Sequence, residues 1–264
     1  MASEKNNQEE GIFLSNLFKG KRFLITGASS GIGASTAILL SNHGAEIIIT
    51  GRNLNNLRKV RNKMNGVRVL IVEKDLSQQD AGVELLESLP SEWLPLNGFF
   101  HAAGISMIKP MSVSSNDDFH KIAAVSLLSA LSISRAFYKK KYFADESSIV
   151  FISSIASILT TTGMGYYSAI KASINALCRT LSVELASRKM RINCILAGAI
   201  ETKMHKEIAE KLSDESLENY KKKHLLGFGS ESDISQMVAY LMSPAGRWIT
   251  GSMLSIDGGF SAFK

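Results

Sequence analysis

Apolar residues in this chain follow two rhythms. Short runs rich in β-branched and aromatic residues occupy 23–26, 46–50, 67–72, 98–102, 148–153, 191–196 and 253–256. Between them, apolar residues recur every three to four positions. Leu54, Leu57, Val60 and Met64 form one such series, Val83, Leu86 and Leu89 a second, and Ile234, Met237, Val238 and Leu241 a third. That spacing draws a stripe down one side of a helix, whereas a short unbroken apolar run suits a strand buried on both faces. Strands alternating with helices of this length point to parallel pairing through right-handed crossovers. The pattern predicts an α/β chain with a doubly wound, seven-stranded parallel sheet and helices on both faces. No repeat, low-complexity segment or Pro/Gly-rich linker divides it, so one domain spanning 1–264 is expected, with polar residues 1–10 as a frayed tail.

The alternation breaks once. The stretch between 196 and 232 is longer than a strand-to-helix connection requires. Residues 203–223 can form one or two short helices. The segment 203–226 follows the C-terminal end of a strand, where open α/β sheets bind ligands, and is expected to be a small helical lid over a substrate pocket. Surface decoration is the plainer alternative.

Composition narrows the class. The chain has 264 residues, 45% hydrophobic and 20% charged, with a net charge of +6. A chain of this size buries a substantial core. The basic runs at 19–22, 139–141 and 221–223 are scattered and lack interleaved aromatics, which argues against nucleic acid and for solvated faces. The surplus positive charge also suits an anionic ligand. Cys178 and Cys194 form no CxxC, and no Cys/His cluster has metal-ligand spacing, so two buried thiols in a reducing compartment are expected and no metal. The N-terminus lacks the basic and apolar regions of a signal peptide. No apolar run reaches the ~20 residues of a membrane span. A cytoplasmic, soluble protein with no membrane partner is the expectation.

Candidate chemistry begins at the first strand. Gly27, Gly31 and Gly33, with Ser29, Ser30 and Ile32 between them, stand between an apolar run and a helical pattern over 34–43. Glycines let a turn tighten and a ligand approach the backbone, and a helix N-terminus attracts a diphosphate. The spacing is G-x-x-x-G-x-G, which differs from the usual G-x-G-x-x-G. At the end of the second strand comes Gly51, Arg52 and Asn53, with no acid there for an adenosine ribose. A guanidinium in this place accommodates a 2′-phosphate, so NADP is expected over NAD. Asp75, beside Leu76 after the third strand, can accept from an adenine amino group or cap the next helix. Ser154 closes the fifth strand. Tyr167 and Lys171 stand at i and i+4, on one helix face. A lysine beside a tyrosine favours the phenolate and brings its pKa towards neutrality, and a serine hydroxyl can bond the same oxygen.

Together these motifs resemble the short-chain dehydrogenase/reductase family in its single-domain form, over residues 18–261. The resemblance rests on the glycine pattern from Thr26 to Gly33, on Asp75-Leu76, and on Ser154 with Tyr167-Ser168-Ala169-Ile170-Lys171. It extends through Arg191-Ile192-Asn193, Gly198 with Thr202, and the ending Ile249-Thr250-Gly251-Ser252 and Ile256-Asp257-Gly258-Gly259. It implies a Rossmann-type fold with Tyr167 as acid/base, Lys171 on the nicotinamide ribose and Ser154 orienting the substrate oxygen. Ile200 and Thr202 would contact the nicotinamide amide. Tyr166 and Ser153, one residue out of register, are read as packing or pocket residues. Three positions depart from the family. His101-Ala102-Ala103-Gly104 replaces Asn-Asn-Ala-Gly, with Ala102, Ala103 and Gly104 still small enough to approach a cofactor and His101 read as a packed histidine. Ser126 stands where the family has a catalytic asparagine that holds a water on the proton path. Ala197 replaces a proline.

The implied activity is NADP(H)-dependent interconversion of a ketone and a secondary alcohol. The substrate would be a small or carrier-linked carbonyl compound, as for the 3-oxoacyl reductases the chain resembles. A dinucleotide-binding sensor without turnover is the alternative, suggested by Ser126 and His101. The family is usually tetrameric, and helices over 116–139 and 165–188 would be long enough to pair copies into a homotetramer or homodimer.

Overall fold

The computed structural model describes residues 13–65, 68–159, 162–205 and 214–262. The expected tail at 1–10, the start of the third expected strand at 67, and the lid residues 206–213 lie outside the described residues. Seven strands pair in one sheet: β1 (Arg22–Thr26), β2 (Glu46–Gly51), β3 (Val69–Glu73), β4 (Leu96–His101), β5 (Phe143–Ser154), β6 (Arg191–Ala197) and β7 (Met253–Ile256). The order is β3-β2-β1-β4-β5-β6-β7, with every pairing parallel. The chain winds outwards from β1 to β3, then returns to the middle and winds the other way. The reversal falls between β1 and β4, where crossovers leave on opposite faces and open a crevice at the C-terminal strand ends.

Alternate residues of each apolar run supply the two faces. Leu24, Ile48, Phe99, Phe151 and Cys194 belong to one core layer, and Ile25, Ile49, Phe100, Ile152 and Ile195 to the other. A period of two along a fully apolar strand places a hydrophobic side chain on both faces. The first layer is covered by α3 (Ala81–Glu87), α5 (Ser129–Ser134) and α6 (Gly165–Glu184), and the second by α1 (Gly31–Asn42), α2 (Leu54–Arg61) and α8 (Glu231–Met242). Capping boxes start α4 (Asn116–Ala123) at Ser115 with Asp118, and α8 at Ser230 with Asp233.

The expected helix over 116–139 is interrupted. Between α4 and α5 the backbone makes a π turn, Ala124–Leu128, in which the Ser129 N–H reaches back five residues to the Ala124 carbonyl. Helix α6 ends at Glu184, and a 3-10 turn, Ala186–Arg188, completes the expected 165–188. Within the expected lid the described residues are helical at 203–205 and again over α7 (Asp214–Lys222).

Candidate active site

The glycine turn joins β1 to α1 against the loop that leaves β4. Gly27 has φ +64°, and a Cβ there would stand 2.7 Å from backbone atoms of Ala102 and Ala103. A Cβ on Gly33 would stand 2.4 Å from the Gly27 carbonyl oxygen. Backbone packs on backbone, so neither position admits a side chain. Ser30, at the N-cap of α1, makes no side-chain capping bond, and the first turn carries no acid. The unpaired N–H groups and positive end of α1 are left to whatever enters the cleft. That arrangement fits a diphosphate.

The cleft brings together most of the expected residues. Gly27, Ser29, Ser30, Gly31, Ile32 and Gly33 form one wall. Arg52, Asp75 and Leu76 line the end towards β2 and β3. Ala102, Ala103 and Gly104 follow β4, and Ile200 and Thr202 follow β6. Thr202 sits over the turn, its Cγ2 3.6 Å from where a Gly31 Cβ would be. Two expected residues are elsewhere. Asn53 is not among the lining residues; its carboxamide oxygen accepts the Asn56 N–H at 2.8 Å and caps α2. Ser126 is fully buried behind the cleft wall, its Oγ without a hydrogen-bond partner among the described residues. Asp75 corrects one of its two readings. It accepts the Ser77 N–H at 3.0 Å in a local turn, while the N-cap of α3 is Asp80, so Asp75 does not cap that helix. The Ser77 N–H, together with Arg52, holds the Asp75 carboxyl below its usual value.

Tyr167 and Lys171 lie one turn apart on α6, facing the end of β5, and both line the cleft with Ser154. Ser154 Oγ accepts the Ala156 N–H at 3.2 Å and starts the short turn after β5. Lys171 is buried, with Nζ donating to the Ile152 carbonyl at 3.0 Å and lying 5.7 Å from the Tyr167 ring centroid. Burial pulls the Lys171 ammonium down to about 8. Burial also pushes the Tyr167 phenol up to about 12, with the hydrogen bond to Ser154 pulling the other way. The sequence argument expected the lysine to lower the tyrosine. Desolvation of the phenolate sets the direction instead, and the group that pulls against it is Ser154 rather than Lys171. Ser153 lines the cleft, whereas Tyr166 is not among its lining residues. Ser153 Oγ donates to the Lys171 carbonyl at 3.0 Å, and Tyr166 packs edge-on against Phe119.

The cleft has further lining residues, three that sequence reasoning passed over and three from the expected lid. Ile105, Ser106, Met164, Met204, His205 and Tyr220 line the side of the cleft beyond Tyr167. Tyr220 comes from α7. His224, four residues on, accepts the Ala199 N–H at 3.1 Å through Nε2, and its Nδ1–H donates to the Tyr220 carbonyl at 3.0 Å. The lid is thereby tied to the loop carrying Ile200. The i, i+4 pair of Tyr220 and His224 was visible in the sequence, hidden within a lysine-rich segment.

A protein-family model described as enoyl-(acyl carrier protein) reductase matches residues 27–261. Among curated proteins, a tropinone reductase homolog of Arabidopsis thaliana is 32% identical over 246 residues, covering 92% of both chains. A 3-oxoacyl-(acyl-carrier-protein) reductase of Thermotoga maritima is 29% identical over 244 residues, covering 91% of this chain and 98% of its own. Among solved structures, a short-chain dehydrogenase/reductase from Serratia marcescens superposes with a TM-score of 0.86 at 25% identity, covering 93% of this chain and 99% of that one. A blue fluorescent protein from a metagenomic library, solved in complex with NADPH, superposes with a TM-score of 0.83 at 25% identity and the same coverage. The parallel sheet, the glycine turn, the Ser154–Tyr167–Lys171 grouping and these matches converge: the chain belongs to the short-chain dehydrogenase/reductase family of oxidoreductases.

Proposed function

We propose that this protein interconverts a ketone and a secondary alcohol with NADP(H). The observation that carries the reading is that Ser154, Tyr167 and Lys171 meet in the same cleft as the uncapped N-terminus of α1 and Arg52. The dinucleotide, when bound, supplies or accepts the hydride. The glycine turn and α1 would hold its diphosphate, and Arg52 its 2′-phosphate. Lys171 would bind ribose hydroxyls, and Ile200 and Thr202 the carboxamide. Ser154 holds the substrate oxygen beside the Tyr167 hydroxyl. That hydroxyl, protonated at neutral pH, gives its proton to the carbonyl oxygen and recovers it in the reverse direction. Lys171 and Ser126 support proton return to Tyr167.

The names of the relatives, a 3-oxoacyl reductase and a tropinone reductase homolog, support a ketone as substrate, and the NADPH complex of a neighbour supports the cofactor. The test is NADPH oxidation against 3-oxoacyl thioesters and cyclic ketones, repeated with NADH. Turnover of at least one ketone with preference for NADPH is expected. NADPH binding with no turnover across the panel would instead favour a sensor. Copies of the chain pair through exposed apolar positions on the π turn, α5 and α6, where Leu128 is 52% and Val183 76% exposed. A purely monomeric sedimentation profile would contradict that pairing. A cytoplasmic location suits the free thiols of Cys178 and Cys194.

A further inference from the structure

His101 is fully buried at the end of β4, and the reaction described above gives it no role. Its two ring nitrogens face different parts of the site. Nδ1 lies 2.9 Å from Thr26 Oγ1, at the entry to the glycine turn. Nε2 lies 3.2 Å from the Ser126 carbonyl and 3.3 Å from Ser129 Oγ, both in or beside the π turn.

Hydrogen-bond accounting settles the tautomer. The π turn diverts the Ser129 N–H to the Ala124 carbonyl, and the Val125 carbonyl takes the Ser129 hydroxyl proton instead, at 2.5 Å. Ser129 Oγ then has no proton left for the ring, and a carbonyl never has one. Both neighbours of Nε2 are acceptors, so Nε2 carries the hydrogen. Nδ1 is then the acceptor, and Thr26 Oγ1 donates to it while itself accepting the Ala103 N–H at 3.3 Å. The ring stays neutral, because burial and the nearby Lys171 charge oppose a second proton.

The turn held by Nε2 is the one that carries Ser126. Ser126 Oγ, buried and without a partner among the described residues, lies 3.2 Å from where a Gly104 Cβ would be, and Lys171 Nζ lies 3.6 Å from the same point. Ser126 and Lys171 therefore approach the same point beside Gly104, on the cleft wall. We propose that His101 is a positioning residue: its Nε2–H fixes the π turn at the Ser126 carbonyl, its Nδ1 fixes Thr26, and the imidazole couples the cofactor turn to the space beside Lys171. The proposal rests on the reading of Tyr167 and Lys171 as the reacting pair.

Two variants separate the arms. A glutamine amide nitrogen reaches roughly where Nε2 stands, so His101→Gln keeps the Ser126 bond and gives up Thr26. An asparagine reaches only where Nδ1 stands, so His101→Asn does the reverse. In His101→Asn, amide hydrogen exchange over 124–130 should speed up about tenfold and kcat should fall about tenfold, the size of one buried hydrogen bond. The NADPH dissociation constant, read by fluorescence titration, should stay within about threefold of the original. In His101→Gln, exchange over 124–130 and kcat should stay within about threefold. Identical behaviour of the two variants, or an unperturbed His101→Asn, would overturn the proposal. Should no ketone be turned over by the unmodified protein, the functional reading fails, and the exchange data still decide this one. Should neither variant fold, nitrogen-15 spectra of the histidine-labelled unmodified protein decide. The Nε2–H tautomer is expected, and an Nδ1–H tautomer or an imidazolium at neutral pH overturns the assignment.

Discussion

At the scale of single residues, burial governs the chemistry more than spacing does. The i, i+4 relation of Tyr167 and Lys171 is plain in the sequence, but how deeply the pair sits is not. That depth leaves the tyrosine at about 12 and the lysine at about 8 in the free protein. Asn53 and Asp75 fell in a plausible cofactor stretch, yet short polar side chains bond their own backbone readily, and both do so here. Arg52 instead lines the cleft beside Asp75. Replacing it by Asp should exchange attraction for repulsion of a 2′-phosphate and raise the NADPH KM by roughly 10- to 100-fold, with NADH affected far less. Steady-state kinetics with both cofactors check this, and unchanged KM values would assign the phosphate to another group. His101 gives a pH prediction. Its folded value is about 3 against 6.5 when unfolded. Below pH 6.5 the unfolded chain takes a proton that the folded chain refuses, so this share of stability is present above 6.5 and lost as pH falls towards 3. Between pH 6.5 and 5 the original protein should lose about 2 kcal/mol more than His101→Gln does. Parallel denaturation curves for the two proteins at both pH values would refute it.

At the scale of elements, apolar rhythm placed every strand within the sheet and most helices, and it failed where polar residues or an extra residue interrupt the rhythm. Strand β5 begins at Phe143, well before the apolar run, because Asp145, Glu146 and Ser147 mask its start. There Glu146 takes φ +63° and the register with β4 shifts between Leu96 and Gly98. The π turn was invisible for a related reason. Its apolar residues still recur at helical spacing, and only the backbone bonds reveal the added residue. The contact between α3 and α5 is closer than either sequence suggests. A Cβ on Gly82 would stand 2.6 Å from Ile133 Cγ1 and 2.9 Å from the Ile133 backbone nitrogen. Gly82→Ala must therefore push the two helices apart and should cost about 1–3 kcal/mol. Chemical denaturation measures it, and an unchanged or raised stability would show that the helices yield without strain.

At the scale of the whole molecule, sheet topology explains why residues far apart in sequence share one cleft. The strand order reverses between β1 and β4, so the glycine turn, the loop after β4 and the loop after β6 open onto the same edge. Helix α6 crosses beside β5 and presents Tyr167 and Lys171 to that edge. The motifs announced the glycine-turn side of this cleft. On the far side, Ile105, Ser106 and Met164 come from loops of unpatterned sequence and were not legible beforehand, whereas Met204, His205 and Tyr220 lie in the segment expected as a lid. The central claim is that Tyr167 handles the substrate proton at a cleft built to hold NADPH. It is tested most directly by Tyr167→Phe, measured with the best ketone of the panel and by NADPH fluorescence titration. The account predicts a loss of roughly 100-fold or more in kcat, with NADPH affinity within about threefold of the original. A variant that retains turnover while binding NADPH normally would contradict it.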